Sequence, residues 1–125
     1  MGDIAHFEFD AADTERVKNF YENVFGWKIT KWEGPMDYWL IDTGGQSAMP
    51  PGGGFSRRED RRDFKGMVIN TINVENIDKT IEDIKKHGGS VITEKSSIPG
   101  IGYLIYFKDT EENIFGAMES DPEAV

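Results

Sequence analysis

The chain of 125 residues contains no cysteine. Disulfides, thiol nucleophiles, iron–sulfur clusters and every zinc site built on Cys are excluded at once. Histidine is nearly as scarce, with only His6 and His87. Positive charge is in deficit, since 14 Lys and Arg stand against 23 Asp and Glu for a net charge of −9. A field of that sign repels phosphate backbones and anionic lipid, so neither nucleic acid nor a membrane is an expected partner, whereas a cationic small molecule is helped. No apolar run approaches the roughly 20 residues that a membrane span needs. The first residues lack the basic and apolar regions of a secretory signal, so the expected location is the cytoplasm. No serine stands in a nucleophile elbow. Gly52-Gly53-Gly54 lacks the strand–helix context and the lysine of a phosphate loop.

What is present describes one folded domain: 38% hydrophobic and 30% charged residues, on a chain long enough for a real core. Ile4 to Ala11 alternates as a strand. Asp13 is placed to cap a helix whose apolar face is Val17, Phe20, Tyr21, Val24 and Phe25, stopped by Gly26. Trp27 to Glu33 and Tyr38 to Thr43 predict two strands about a turn at Gly34-Pro35. Gly44 to Gly66 reads as loop, with a short strand at Gly53 to Arg57 and then a mixed-charge run, Arg57 to Asp63, expected to be solvated. Val68 to Val74 is the next strand, followed by a helix capped by Asn76 with Ile77, Ile81 and Ile84 on one face. Gly88-Gly89 ends it, and Ser90 to Lys95, Ile101 to Lys108 and Asn113 to Glu119 predict three more strands.

The second pattern repeats the first. Gly26 and Gly89 stand 63 residues apart, and the same offset sets Asp13 on Asn76, Tyr21 on Ile84 and Thr30 on Thr93. Neither unit buries its apolar face alone, so the expected object is two β-α-β-β-β modules closing on a shared core with a cavity between them. The fold class is therefore α+β: two βαβββ modules with mixed curved sheets and a helix outside each. The first module spans about 4–57, a linker about 58–66, and the second module about 67–120, within a single domain of residues 1–125.

The residues Ile4-x-His6-Phe7-x-Phe9, Asp13 and Phe20-Tyr21-x-x-Val24-Phe25-Gly26-Trp27 resemble the opening of the vicinal oxygen chelate superfamily, which includes glyoxalase I, bleomycin- and fosfomycin-resistance proteins and extradiol dioxygenases. Pro99 to Tyr103 and Phe107 to Gly116 resemble its closing hairpin. The resemblance covers nearly the whole chain and implies the paired modules found above. Metal-dependent members resembling glyoxalase I place one ligand on each of four strands, and the ion polarises vicinal oxygens of the substrate. Of those positions His6 carries a donor. The others fall on Ile69, on Gly116 and near Gly53 or Gly54, which offer none. His6 is thus the only family-position ligand, no metal site is expected, and no cofactor is assigned; a divalent metal is the alternative, with Glu8 the one neighbouring carboxylate to assist.

Strand alternation turns His6 and Glu8 away from Phe7 and Phe9. They are the candidate catalytic pair, on the expectation that a carboxylate beside the imidazole raises its pKa. Thr71 and Asn73 face the same way by the repeat. With Trp39, Tyr103 and Tyr106 they are the candidate substrate-binding residues of a partly aromatic pocket. The expected protein is a glyoxalase-like small-molecule binder of undetermined activity. Two alternatives are a metal-dependent lyase or isomerase acting on a substrate such as a glutathione hemithioacetal, and a drug-sequestering protein resembling the bleomycin-resistance proteins. The expected assembly is a homodimer, the commonest symmetric form.

Overall fold

The computed structural model describes residues 2–45, 51–61 and 63–125. The chain divides into two compact units, one spanning Ala5–Ile69 and the other Asn70–Val125 together with the N-terminal residues up to Ile4.

The first unit opens with β1 (Ile4–Ala11) and α1 (Thr14–Phe25). Asp13 caps α1 by accepting from the Arg16 amide at 3.0 Å, and Gly26 closes it in the left-handed conformation, φ 70°. A side chain would be strained there, which is why glycine ends this helix. Three strands follow: β2 (Lys28–Lys31), β3 (Tyr38–Asp42) and β4 (Gly53–Arg57). Their order is β2-β3-β4-β1, with β1 parallel to β4 and the other pairs antiparallel. One face of this sheet carries Phe9, Phe55, Trp39, Ile41 and Ile29. Val17 and Tyr21 of α1 cover it. Phe9 stacks on Phe55 and Phe55 on Trp39, each pair at 5.4 Å between ring centroids.

The expected apolar face of α1 is only partly used. Val17 and Tyr21 meet the core, while Phe20, Val24 and Phe25 are more than half exposed. Phe20 and Val24 lie to one side of the line through Val17 and Tyr21, and Phe25 is the helix's last residue, so the stripe is wider than the contact it makes.

The second unit repeats the topology: β5 (Ile69–Asn73), α2 (Ile77–Lys86), β6 (Ser90–Val91), β7 (Ser96–Ile98), β8 (Gly102–Lys108) and β9 (Ile114–Ser120). The order is β5-β9-β8-β6, with β5 parallel to β9 and β7 paired beside β8. Asn76 caps α2 by accepting from the Lys79 amide at 3.0 Å, and Glu119 of β9 accepts from the Ile77 amide at 2.9 Å. Ile77, Ile81 and Ile84 bury against Ile105 and Ala117.

The strand expected over Ser90 to Lys95 is cut short to β6, Ser90–Val91, and the unexpected β7, Ser96–Ile98, lies just beyond it. The interruption has a local cause. Ile92 N–H still bonds the Tyr106 carbonyl at 2.9 Å, but Tyr106 N–H then turns to the Thr93 hydroxyl, and a side chain replaces the backbone acceptor. The mixed-charge run is also not simply solvated. A short 3-10 turn, Arg58–Asp60, leads into Arg61, which is buried.

Candidate functional site

In β1 the pleat sends Phe7 and Phe9 to the helix side, and His6, Glu8 and Asp10 to the opposite face. The adjoining positions on that opposite face are Gly54 and Ser56 of β4, and Tyr38 and Leu40 of β3. His6 and Glu8 therefore share the surface the alternation expected. The imidazole's partner, however, is Tyr38: His6 Nε2 lies 2.7 Å from Tyr38 Oη, with the rings stacked at 6.2 Å. Trp32 meets the Tyr38 ring edge-on at 6.5 Å.

Gly54 makes that arrangement possible. A Cβ built there would fall among the ring atoms and hydroxyl of Tyr38, and one on Gly53 would fall inside the Phe7 ring. The paired glycines of β4 are thus seats for two aromatic rings, one on each face of the sheet. Glu8 stands opposite Gly54 in register.

Burial sets the protonation of His6. Loss of solvent pushes its pKa down from 6.5 to about 4. This reverses the expectation that a neighbouring carboxylate would raise it: desolvation of the imidazolium outweighs any help from Glu8. The imidazole is neutral at physiological pH and offers one N–H and one bare nitrogen.

Asp10 lies further along the same face and is held by a cluster. Its Oδ1 accepts from Arg58 Nε at 2.6 Å, and its Oδ2 from Arg61 Nη1 at 3.1 Å and from the Gly66 amide at 2.7 Å. Arg61 Nη1 also donates to the Met67 carbonyl at 2.7 Å. Burial alone would raise the Asp10 pKa, but the Arg58 and Gly66 hydrogen bonds and the two guanidinium charges overcome it and hold the carboxyl below its ordinary range. This cluster fastens the segment after β4 to β1.

The candidate binding residues divide between the faces of their units. Trp39 belongs to the helix-side core, stacked on Phe55, with Lys31 and Arg57 over its ring at 5.7 and 5.1 Å. Tyr103 is likewise helix-side, packed with Ile105 and Phe107, with Lys95 Nζ 5.1 Å above it. The period of two explains both: Trp39 follows Phe55's register, and Tyr103 shares the parity of Ile105. Thr71, Asn73 and Tyr106 lie on the opposite face of the second unit, beside Gly116 and Met118. Thr71 is buried, and the Asn73 backbone pairs with Gly2 and Asp3.

The four-ligand set implied by the resemblance can be tested on these positions. Ile69 is hydrocarbon and buried. A side chain on Gly116 would begin with a Cβ 2.7 Å from Thr71 Oγ1, and one on Gly54 would displace Tyr38. His6 alone has a donor, and its Nε2 faces the Tyr38 hydroxyl. The residues present do not fit an ion held by four protein ligands.

Residues 3–116 match the family described as the Glyoxalase/Bleomycin resistance protein/Dioxygenase superfamily. The chain belongs to this superfamily. A glyoxylase-like domain-containing protein from Didymella fabae is 31% identical over 119 residues, covering 90% of this chain and 89% of the relative. Among solved structures, Streptomyces coelicolor methylmalonyl-CoA epimerase superposes with a TM-score of 0.69 at 15% identity, over 100% of this chain and 99% of the other. A 2,3-dioxygenase from Pseudomonas sp. KL28 superposes with a TM-score of 0.65 at 13% identity, over 98% of this chain and 43% of the other. These two neighbours carry different chemistries on one superfamily fold, so the reaction has to be argued from the site.

Tyr38 is the residue that sequence reasoning undervalued, since it entered only as the start of an expected strand. The available signal was the double glycine inside an expected strand, which marks a close approach by something large. Asp10, Arg58 and Arg61 were missed because their contact joins positions about fifty apart, through a turn no periodicity describes.

Proposed function

We propose that this superfamily member binds a small molecule on the face of β1, β3 and β4 opposite α1, without the four-ligand metal site of its metal-dependent relatives. His6 and Glu8 are the polar groups of that face. Thr71, Asn73 and Tyr106 are the corresponding residues of the second unit, while Trp39 and Tyr103 are assigned to packing. The observation that carries this reading is the Tyr38 ring seated on Gly54 with its hydroxyl on His6. It fills the space and engages the donor that an ion would need. A neutral imidazole beside a phenol suits recognition better than acid–base work, because a base with a pKa of about 4 removes protons weakly at pH 7.

The net charge of −9 favours a second, narrower reading, sequestration of a cationic compound. We read the protein as a cytoplasmic homodimer; light scattering checks the dimer.

A thermal-shift screen of neutral, anionic and cationic small molecules tests the function, with His6→Ala as the control that must lose the hits. Hits confined to cations support sequestration. Lactoylglutathione formation from methylglyoxal and glutathione that depends on added nickel, cobalt, zinc or manganese would overturn the proposal in favour of a metal-dependent lyase.

A further inference from the structure

Three large apolar side chains of α1 face solvent: Phe20 at 53%, Val24 at 57% and Phe25 at 60% exposure. The rings among them are not loose ends. Between ring centroids, Phe20 meets Tyr21 edge-on at 5.1 Å and Phe25 at 6.4 Å, and Tyr21 stacks on Trp27 at 4.7 Å. The exposed rings are thus fixed from behind by rings packed against the core. An apolar group that is already ordered loses little freedom on contact, which is the character of an interface anchor. We propose that this face of α1 docks on α1 of a second copy of the chain, the two helices running antiparallel about a two-fold axis near Phe20. The inference rests on the homodimer reading above and names the surface that makes the dimer.

The charges of the helix select that occupant. At 3.6 residues per turn, Arg16, Phe20, Asn23 and Val24 fall along one stripe. The acidic residues of the helix lie off it. Glu15 precedes Arg16 by about 100° of turn, and Glu22 is turned toward β2, where it accepts from the Ile29 amide at 3.4 Å. On a chain of net charge −9, a stripe without a carboxylate is where two copies approach with least repulsion.

The stripe also complements itself. Its N-terminal end carries the exposed Arg16, and the last turn of α1 holds no basic residue to offset the negative end of the helix dipole. An antiparallel two-fold sets Arg16 of each copy against the last turn of the other, and Phe20 against its own counterpart. A two-fold contact requires this self-complementarity, and a parallel pairing would set like ends together. Three exposed apolar side chains make a patch at the low end of specific interfaces, so the expected association is weak and concentration-dependent, with a dissociation constant in the micromolar range.

Sedimentation velocity of the whole protein from about 1 to 200 μM tests the proposal. The expected result is a monomer–dimer equilibrium. Phe20→Glu sets two carboxylates on the axis and is expected to raise the dissociation constant at least about 100-fold. Val24→Lys, on the same face, carries the same expectation should Phe20→Glu not fold, and melting curves establish which variants are folded. Arg16→Glu is expected to raise the constant about tenfold, and adding Asn23→Lys to Arg16→Glu to restore it, because the charges then meet in the reversed sense. Val68→Glu, at an exposed apolar residue off this helix, is expected to leave the dimer unchanged. A dimer unmoved by the folded Phe20→Glu or Val24→Lys variant, no recovery in the double variant, or dissociation by Val68→Glu overturns the proposal and leaves the homodimer reading standing. A chain that stays monomeric at about 200 μM overturns both.

Discussion

Asp10→Asn is expected to be among the most damaging conservative changes in the first unit. The substitution keeps shape and removes charge. Asp10 is 6% exposed and neutralises Arg61, which is 8% exposed. Breaking a buried pair by deleting one partner typically costs about 3–5 kcal/mol, because the other charge stays buried without compensation. Three features place this case inside that range. Arg61 already has Nη2 buried without a hydrogen-bond partner among the described residues, so it has little solvent to fall back on. The Gly66 amide loses a charged acceptor, worth about 1 kcal/mol. Arg58, with its side chain half exposed, turns to water and adds under about 1 kcal/mol. The expected cost is about 4 kcal/mol, the middle of that range and a large fraction of the stability of an ordinary domain. Urea unfolding followed by tryptophan fluorescence measures it, since Trp39 sits in the core of the same unit. The control is Asp10→Asn with Arg61→Met, which removes both charges and should recover part of the loss. A cost below about 1 kcal/mol for the single change, or a double variant showing the plain sum of the two single losses, would refute the reasoning. The pH dependence has a defined sign. The folded pKa of Asp10 is depressed, so its contribution is present above the ordinary carboxylate range and is lost as pH falls through the folded value. Asp10→Asn removes that part of the acid limb.

His6 acts in a different window. Its folded pKa is about 4 against 6.5 unfolded, so the unfolded chain binds the extra proton first and stability falls as pH drops from about 6.5 toward 4. The full loss is about 3 kcal/mol, at about 1.4 kcal/mol per pKa unit, and His6→Gln should flatten that slope in urea midpoints measured from pH 4 to 7. Glu112 holds φ 65°, a left-handed conformation costly for a residue with a Cβ, so Glu112→Gly is expected to raise stability by roughly 0.5–1 kcal/mol and the melting temperature by a few degrees. Gly102→Ala would drive a Cβ into the carbonyl of Glu119, so the β8–β9 pairing should shift and the melting temperature should drop by 10 °C or more, as about 3 kcal/mol of overpacking implies.

The parts of the fold legible in the sequence are those governed by short-range chemistry. Asp13 and Asn76 cap their helices with their own side chains, and Gly26 ends α1 with a conformation that favours glycine. The 63-residue repeat holds at the N-caps Asp13 and Asn76, while α2 stops two residues early at His87; the topologies β2-β3-β4-β1 and β5-β9-β8-β6 repeat in turn. Periodicity was weaker where a strand's face had to be named. Trp39 and Tyr103 carry the same side-chain types as a binding wall, yet the register of their strands turns both to the helix side.

By itself the sequence determined the class of the protein, the two repeated units, the lack of thiol chemistry and the single donor among the expected ligand positions. Each of these depends on residue identity or on spacings of a few residues, which a linear string preserves. Only the tertiary structure decided what His6 meets. Tyr38 and Gly54 are 32 and 48 residues away from it along the chain, and they arrive beside it through strand pairing and the absence of one Cβ. It likewise decided that Arg61 is buried on Asp10 rather than dissolved in a charged loop. Burial and long-range register set protonation and partners, and neither is a property of any short stretch of residues.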